Sequence, residues 1–294
     1  MASNSKPSLG TPARLAVFAA ALAFVFLGAL SIGKAIGPDR EPTTGSHGTE
    51  EPEHGDAEAG AEHEAKAQPV RGLAVSDDGL TLDLARKAAP QGEQFTLAFR
   101  IVGRDGRVVR DFDVEHTKRM HLIVVRRDAT GFQHLHPTAS ADGTWSVRAT
   151  LPDAGVYRVF ADFSVDDTPR TLAADFTVDG DVQSRPLPAP AAEVTVDGLR
   201  VALKDSADRA GAEADLPFTV TRAGREVPVD DYLGAKGHLV ALRDGDLAFL
   251  HVHPDANSLR FMATFPTAGR YRLFLQFKTE GRLHTAAFTR EVSR

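Results

Sequence analysis

Residues 120–126 read Met-His-Leu-Ile-Val-Val-Arg, and residues 237–243 read Gly-His-Leu-Val-Ala-Leu-Arg. Each stretch is followed at the same distance by a histidine pair and a proline, in Phe-Gln-His-Leu-His-Pro at 132–137 and in Phe-Leu-His-Val-His-Pro at 249–254. Both copies therefore keep one spacing, His-x12-His-x-His-Pro. Repetition of such a pattern after 117 residues indicates a duplicated structural unit.

The duplication extends beyond the histidines, because Ala-Gly-Val-Tyr-Arg at 154–158 returns as Ala-Gly-Arg-Tyr-Arg at 268–272. A whole domain is therefore repeated. Ala-Gly-x-Tyr before a strand resembles the tyrosine corner of immunoglobulin-like sandwiches, in which the tyrosine hydroxyl bonds to backbone a few residues upstream. We expect Tyr157 and Tyr271 to have this structural role.

Both repeats contain short runs in which apolar and polar residues alternate, as at 95–99 and 271–275, and Gly, Asp and Pro separate these runs. No long stretch within the repeats has the period of a helix. About seven strands in about 100 residues are typical of an immunoglobulin-like β-sandwich, in which two sheets cover each other's apolar faces. The predicted fold class is therefore all-β, with two tandem immunoglobulin-like β-sandwich domains, and a barrel is the alternative.

The composition changes along the chain predict its segments. They are a cytoplasmic N-terminus at 1–14, a transmembrane signal-anchor at 15–32, a disordered His/Glu-rich linker at 33–69, the first β-sandwich at 70–180, a Pro-rich linker at 181–191 and the second β-sandwich at 192–294. The segment 15–32 has no charged residue and follows Lys6 and Arg14, so we expect a single-pass cell-membrane protein with its C-terminal domains outside the cytoplasm. Cleavage after 29–31 would instead release a secreted protein.

Composition also excludes several classes of function. With 294 residues and 42% hydrophobic content, the chain can supply a core to each of two domains. A net charge of −6, with no cluster of Arg and Lys among aromatics, argues against nucleic acid as a partner. Because there is no cysteine, disulfides, thiolate metal sites, thiol catalysis and lipid attachment at a cysteine are excluded.

The histidine spacing predicts a shared site if each copy forms a hairpin. A four-residue loop at 127–130 places His121 directly opposite His136 and one diagonal step from His134, with backbones about 5 Å and about 7–8 Å apart. A loop at 244–247 places His238 in the same way beside His253 and His251. A loop one residue longer or shorter would turn the first histidine of each copy to the other face of its sheet.

Three neutral imidazoles are a good ligand set for Cu(II) or Zn(II), and they leave a coordination position open. We therefore predict two metal sites, and no catalytic residue. The metal ligands would be His121, His134 and His136 in the first repeat, and His238, His251 and His253 in the second. His116 and His284 have no histidine counterpart in the other copy, and are either fourth ligands or surface residues. The alternative is that all these rings only pack against their neighbours.

The two histidine phrases resemble those of bacterial exported, largely uncharacterised tandem-repeat proteins with a His-Leu-Ile-Val-Val-Arg-Arg-Asp run followed by Phe-Gln-His-Leu-His-Pro. They are more loosely similar to YtkA-like and other heavy-metal-associated sandwich domains. The resemblance covers both repeats and implies an exported, metal-handling role for the six predicted ligands. The chain departs from it in lacking cysteine and in having Gly237 where the first copy has Met120.

The expected function is that of a membrane-anchored extracytoplasmic metal-binding protein, for copper in preference to zinc, that buffers or transfers the ion. The N-terminal helix would contact the membrane, and the sequence does not identify a protein partner. We do not expect an enzyme, because a zinc hydrolase needs a general acid or base, and Asp113 and Glu115 have no convincing repeated counterpart. The alternative is a non-catalytic cell-surface structural or interaction module with packing histidines.

Overall fold

Each repeat folds into strands whose buried and exposed residues alternate, as Gln94–Val102 illustrates. The computed structural model describes residues 70–204, 208–250, 252–255 and 257–294, with the backbone alone at 253 and 254. The strands of the first repeat are β1 (Ser76–Asp77), β2 (Leu80–Leu84), β3 (Ala88–Pro90), β4 (Gln94–Val102), β5 (His121–Arg126), β6 (Gln133–Leu135), β7 (Thr138–Ala139), β8 (Trp145–Thr150), β9 (Gly155–Val165) and β10 (Thr168–Asp179).

The second repeat also consists of strands and the turns between them in its described residues. Its strands are β11 (Glu193–Val196), β12 (Leu199–Leu203), β13 (Glu213–Arg222), β14 (Arg225–Glu226), β15 (Gly237–Arg243), β16 (Phe249–Leu250), β17 (His253–Pro254), β18 (Arg260–Thr264), β19 (Gly269–Thr279) and β20 (Arg282–Val292). The described residues are thus all-β, as predicted from the alternating pattern.

Each repeat pairs two sheets into a sandwich. In the first repeat, outer sheet 1 has the order β1-β2-β4-β8-β7 and inner sheet 1 has the order β3-β10-β9-β5-β6. In the second, inner sheet 2 has the order β16-β15-β19-β20, and outer sheet 2 has the order β11-β12-β13-β18-β17, with β14 on β13. One apolar core fills each sandwich, around residues such as Phe99 and Tyr157 in the first and Phe261 and Tyr271 in the second.

Both tyrosine corners are present. The hydroxyl of Tyr157 donates a hydrogen bond to the carbonyl oxygen of Asp153, and the hydroxyl of Tyr271 donates one to the carbonyl oxygen of Thr267, each over 2.9 Å. Both rings are fully buried. The structural role expected for the Ala-Gly-x-Tyr stretches is therefore confirmed.

A third apolar core joins the two repeats, and the sequence did not predict it. All six residues of β5 are buried, because Leu122 and Val124 face the first sandwich core while Ile123 and Val125 face the second repeat. This inter-repeat cluster lies between inner sheets 1 and 2. Its buried members are Ile123, Val125, Ala129, Phe160 and Ala173 from the first repeat, and Val240, Leu242, Leu247, Phe249 and Phe274 from the second.

The linker between the repeats contacts the first repeat. Leu187 packs against the inter-repeat cluster, the guanidinium of Arg126 donates to the carbonyl oxygen of Gln183, and the Arg185 N–H donates to the carboxylate of Asp128. The segments predicted at 1–14, 15–32 and 33–69 lie outside the described residues. Among the residues that are described, there is no helix with the length and apolar character that crossing a bilayer requires.

Candidate metal centre

The first hairpin has the register that the histidine spacing predicts. Strands β5 and β6 pair with Leu122 opposite Leu135 and Ile123 opposite His134, and this register places His121 opposite His136. The turn closes where the Arg126 N–H donates to the carbonyl oxygen of Thr130. Since side chains alternate across a strand, all three rings lie on the face of inner sheet 1 that meets the second repeat.

The three histidines of the first repeat converge. One potential ligand atom from each of His121, His134 and His136 lies within 4.8 Å of the others. The ring centroids are 5.3 Å apart for His121 and His134, 5.1 Å for His121 and His136, and 4.7 Å for His134 and His136. The Nδ1 of His121 is 3.0 Å from the Nε2 of His134. Ligand nitrogens of a tetrahedral zinc with bonds of about 2.0 Å are about 3.3 Å apart, so this spacing fits one ion.

The hydrogen bonds around the rings determine which nitrogens carry protons. The Nε2 of His121 lies 3.1 Å from the carbonyl oxygen of Glu115, which can only accept, so this nitrogen is the protonated one. The Nδ1 of His134 lies 2.8 Å from the Oε1 of Gln276, to which it donates. The two remaining nitrogens, Nδ1 of His121 and Nε2 of His134, then face each other with lone pairs and no proton between them.

The third ring of the cluster contains an unpartnered atom. The Nε2 of His136 is buried and has no hydrogen-bond partner among the described residues. A buried polar atom without a partner is costly, and the two lone pairs of His121 and His134 that face each other add repulsion. A cation held by His121, His134 and His136 would remove both costs.

Burial favours the neutral form of His134, His136 and His238, which is the form that binds metal. Desolvation, followed by the neighbouring His121 and His136, lowers the pKa of His134 well below 6.5. Desolvation, followed by His121, lowers the pKa of His136 to about 4. Desolvation also lowers the pKa of His238 to about 4, although its hydrogen bond to Tyr232 acts in the opposite direction.

The second hairpin begins with the predicted register but does not keep it. Strands β15 and β16 pair with Ala241 opposite Leu250 and Leu242 opposite Phe249, which is the register that would bring His238 opposite His253. The chain then crosses to outer sheet 2, where His253 pairs with Met262. The backbone of His253 is therefore hydrogen-bonded in a different sheet from His238. His251 lies outside the described residues, and the described residues do not form a second three-histidine cluster.

His238 lies instead near the histidines of the first repeat. Its ring centroid is 6.0 Å from that of His134, 6.4 Å from that of His121 and 5.3 Å from that of His116. Its Nε2 donates to the carbonyl oxygen of Tyr232 over 3.0 Å, just as His121 donates to Glu115. Histidines of both repeats thus share one region between the inner sheets.

A cavity of about 60 Å³ occupies this region. Its polar lining consists of Glu115, His116, His121, His134, Asp162 and His238. Of the two histidines without counterparts, His116 therefore lies at the centre, on backbone with a φ of 46°. His284 lies elsewhere, because its Nδ1 bonds the carboxylate of Asp197 over 2.7 Å and its ring stacks on Phe277.

The sequence reasoning missed two polar residues of the centre. Asp162 lies opposite His121 in the pairing of β5 with β9, and Gln276 lies opposite His238 in the pairing of β15 with β19. Each occurs five residues after its corner tyrosine, so a comparison of the two repeats shows that Asp162 and Gln276 occupy equivalent positions. Only the docking of the repeats, however, reveals that Gln276 bonds His134.

Sequence comparison identifies one family model. It is described as a domain of unknown function, DUF8832, and it matches residues 74–180 and 194–294. The match of one model to two successive segments agrees with a tandem repeat. It does not test the expected similarity to YtkA-like domains. No curated protein matches the chain.

Several solved structures resemble the chain weakly. The Escherichia coli adhesin FdeC is 15% identical with a TM-score of 0.27, and the match covers 75% of this chain and 66% of that one. A Salmonella alpha-2-macroglobulin is 14% identical with a TM-score of 0.27, over 77% of this chain and 15% of that one. Yersinia pseudotuberculosis InvD is 15% identical with a TM-score of 0.25, over 74% and 58%. The chain spans at most two thirds of each of these proteins, and similarity at this level does not indicate a shared function.

Proposed function

We propose that the chain, which belongs to the family described as a domain of unknown function, DUF8832, is a non-catalytic metal-binding protein. The ion would be held by His121, His134 and His136. The observation that carries the proposal is the convergence of three imidazoles, in which two ring nitrogens face each other without a proton between them. These are Nδ1 of His121 and Nε2 of His134, which are 3.0 Å apart, and the Nε2 of the neighbouring His136 is buried without a partner.

The donor set favours a borderline divalent ion. Neutral imidazoles suit Cu(II) and Zn(II), whereas carboxylate oxygens suit Mg(II) and Ca(II). Without cysteine, Cu(I) has fewer soft ligands. The site lies between two sheets beside a small cavity, so bound metal would be shielded from bulk solvent, as suits a protein that buffers or passes on the ion.

The place of action is part of the proposal. The uncharged segment 15–32 would hold the two sandwiches outside the cytoplasm, where free metal ions are encountered before uptake. A partner protein would deliver the ion to this centre or receive the ion from it.

A second candidate function is a structural or interaction module in which the histidines only pack. It is favoured by the hydrogen bonds that His121 and His238 make to the backbone carbonyls of Glu115 and Tyr232, and by the apolar residues that line the same cavity as these rings. Tandem sandwiches docked in this way would present their loops to a protein partner without any ion.

Metal binding to the purified full chain separates the two candidates. We expect one Cu(II) or Zn(II) per chain at pH 7.5 by titration calorimetry and elemental analysis, and an affinity at least 10- to 100-fold weaker in His136→Ala, since loss of even an outer-shell partner costs about that much. His63→Ala removes a histidine of the predicted linker and should leave the affinity unchanged. An affinity that is the same in wild type and His136→Ala would favour the packing module.

A further inference from the structure

Resting on this metal site, we propose that the centre is composite: the second repeat completes it, with Gln276 orienting His134 and His238 supplying the fourth ligand, so that the ion locks the two repeats together. In this view the first repeat holds the ion and the second repeat encloses it.

Gln276 is placed to act as a positioning residue. It is 5% exposed, its Oε1 accepts the Nδ1–H of His134 over 2.8 Å, and its own Nε2 donates to the Oγ1 of Thr285 over 3.3 Å. A hydrogen bond at one imidazole nitrogen fixes both the tautomer and the ring plane, and directs the other nitrogen to the metal. The residue that prepares His134 for binding thus comes from the other repeat.

The duplicated positions have diverged in a way that fits this division of roles. Asp162 and Gln276 occupy equivalent places, and each is held by a threonine on the next strand, Thr171 or Thr285. A carboxylate lies near the ligands in the first repeat, and a neutral amide reaches across from the second. An amide oxygen accepts a hydrogen bond from His134 without adding a buried charge.

His238 is near enough to close the coordination sphere. Ring centroids of imidazoles around one tetrahedral ion are about 5 Å apart, and the triad has separations of 4.7 to 5.3 Å. His238 is 6.0 Å from His134 and 6.4 Å from His121, and it is not part of the group whose ligand atoms lie within 4.8 Å of one another, so its side chain must move inward by about 1 Å or more to bind the ion. Since its Nε2 donates to Tyr232, its Nδ1 is left with the lone pair.

An ion held from both sides must favour the docked arrangement. The inter-repeat cluster already brings the inner sheets together, with the rings of Phe132 and Phe274 stacked 4.2 Å apart. If docking improves metal affinity by some factor, metal binding improves docking by the same factor, because the two equilibria are linked.

The test compares matched glutamine variants of the full chain, using Zn(II) as the probe. Gln276→Met removes the acceptor at nearly constant shape, and we expect Zn(II) affinity to fall 10- to 100-fold. Gln276→Glu keeps an acceptor for His134 but adds a buried charge, and should bind Zn(II) more tightly than Gln276→Met. Gln133→Met changes a glutamine on the same strand as His134 that bonds the carbonyl of Thr150, and should bind as wild type does.

Two further readouts report the second repeat directly. X-ray absorption of the Zn(II) protein should count four imidazoles in wild type and three in His238→Gln. Added Zn(II) should slow amide hydrogen exchange in β15 and β19 of wild type, and much less in Gln276→Met. Circular dichroism and Trp145 fluorescence establish that each variant is folded.

The outcomes separate the two proposals. Wild type that binds Zn(II) with three imidazoles, equal affinity in Gln276→Met and no added protection of β15 and β19 would overturn the composite centre while leaving the triad as the metal site. Wild type that binds no Zn(II) or Cu(II) would overturn the metal site itself, and the composite centre with it.

Discussion

At the scale of single residues, His134 is the most constrained member of the centre. It contacts His121 through one nitrogen and Gln276 through the other, and desolvation lowers its pKa well below 6.5. Protonating this ring would place a charge beside His121 and His136 in a poorly solvated space. The folded protein therefore resists protonation of a group that the unfolded chain protonates readily.

This difference predicts how stability varies with pH. In the metal-free protein, the unfolded chain takes up protons at its histidines as pH falls through about 6.5, whereas folded His136 and His238 do so only at about 4. The unfolded state then binds more protons, so the free energy of unfolding must decrease between these values. Thermal unfolding with a chelator should give a constant Tm above pH 7.5 and a decreasing Tm from 6.5 to 4.5. A smaller decrease is expected in His136→Gln, and an unchanged Tm at pH 5 in wild type would contradict the prediction.

At the scale of strands and turns, the sequence predicts more of the fold than of the site. The alternation of apolar and polar residues is enough to predict the all-β class. The number of residues between the histidines is enough to predict the registers of β5 with β6 and of β15 with β16. They do not predict the crossing of the chain to outer sheet 2 before His253, because a sheet change depends on the packing of the whole sandwich. Nor does the run Leu-Ile-Val-Val reveal that its alternate residues serve two different cores, since a strand buried on both faces has no polar alternation.

The turn after β5 offers a prediction at this scale. Asp128 accepts hydrogen bonds from the guanidinium of Arg126, which is 3% exposed, and from the Arg185 N–H of the linker. Asp128→Ala leaves a buried charge without its carboxylate and should lower the free energy of unfolding by about 3 kcal/mol or more.

The second repeat supplies the control for this change. Its corresponding ion pair joins Arg243 to Asp246, whose carboxylate is 41% exposed. Asp246→Ala should therefore cost about 1 kcal/mol or less. Urea unfolding of both variants measures the two values, and equal losses would show that burial of Arg126 is unimportant.

At the largest scale, the residues that the structure describes form four stacked sheets with three apolar cores between them. The outer cores belong to single repeats, and the middle one contains side chains of both. His121 and His238 lie beside this middle core because each is within the first two residues of the strand that also contributes apolar residues to it. Docking of the repeats and assembly of the candidate metal centre are thus consequences of the same two strands.

Shared packing predicts that the repeats unfold together. Trp145 is the only tryptophan and lies in the first repeat, so its fluorescence reports that repeat alone, whereas far-UV circular dichroism reports both. The two signals should give one urea midpoint in wild type.

Phe274→Ala removes a second-repeat ring from the middle core at a cost of about 3–5 kcal/mol, and should lower the Trp145 midpoint although the change is in the other repeat. Leu283→Ala, at a position that is 41% exposed, should leave the midpoints unchanged. Separate midpoints in wild type would mean that the middle core contributes little to the stability of either repeat.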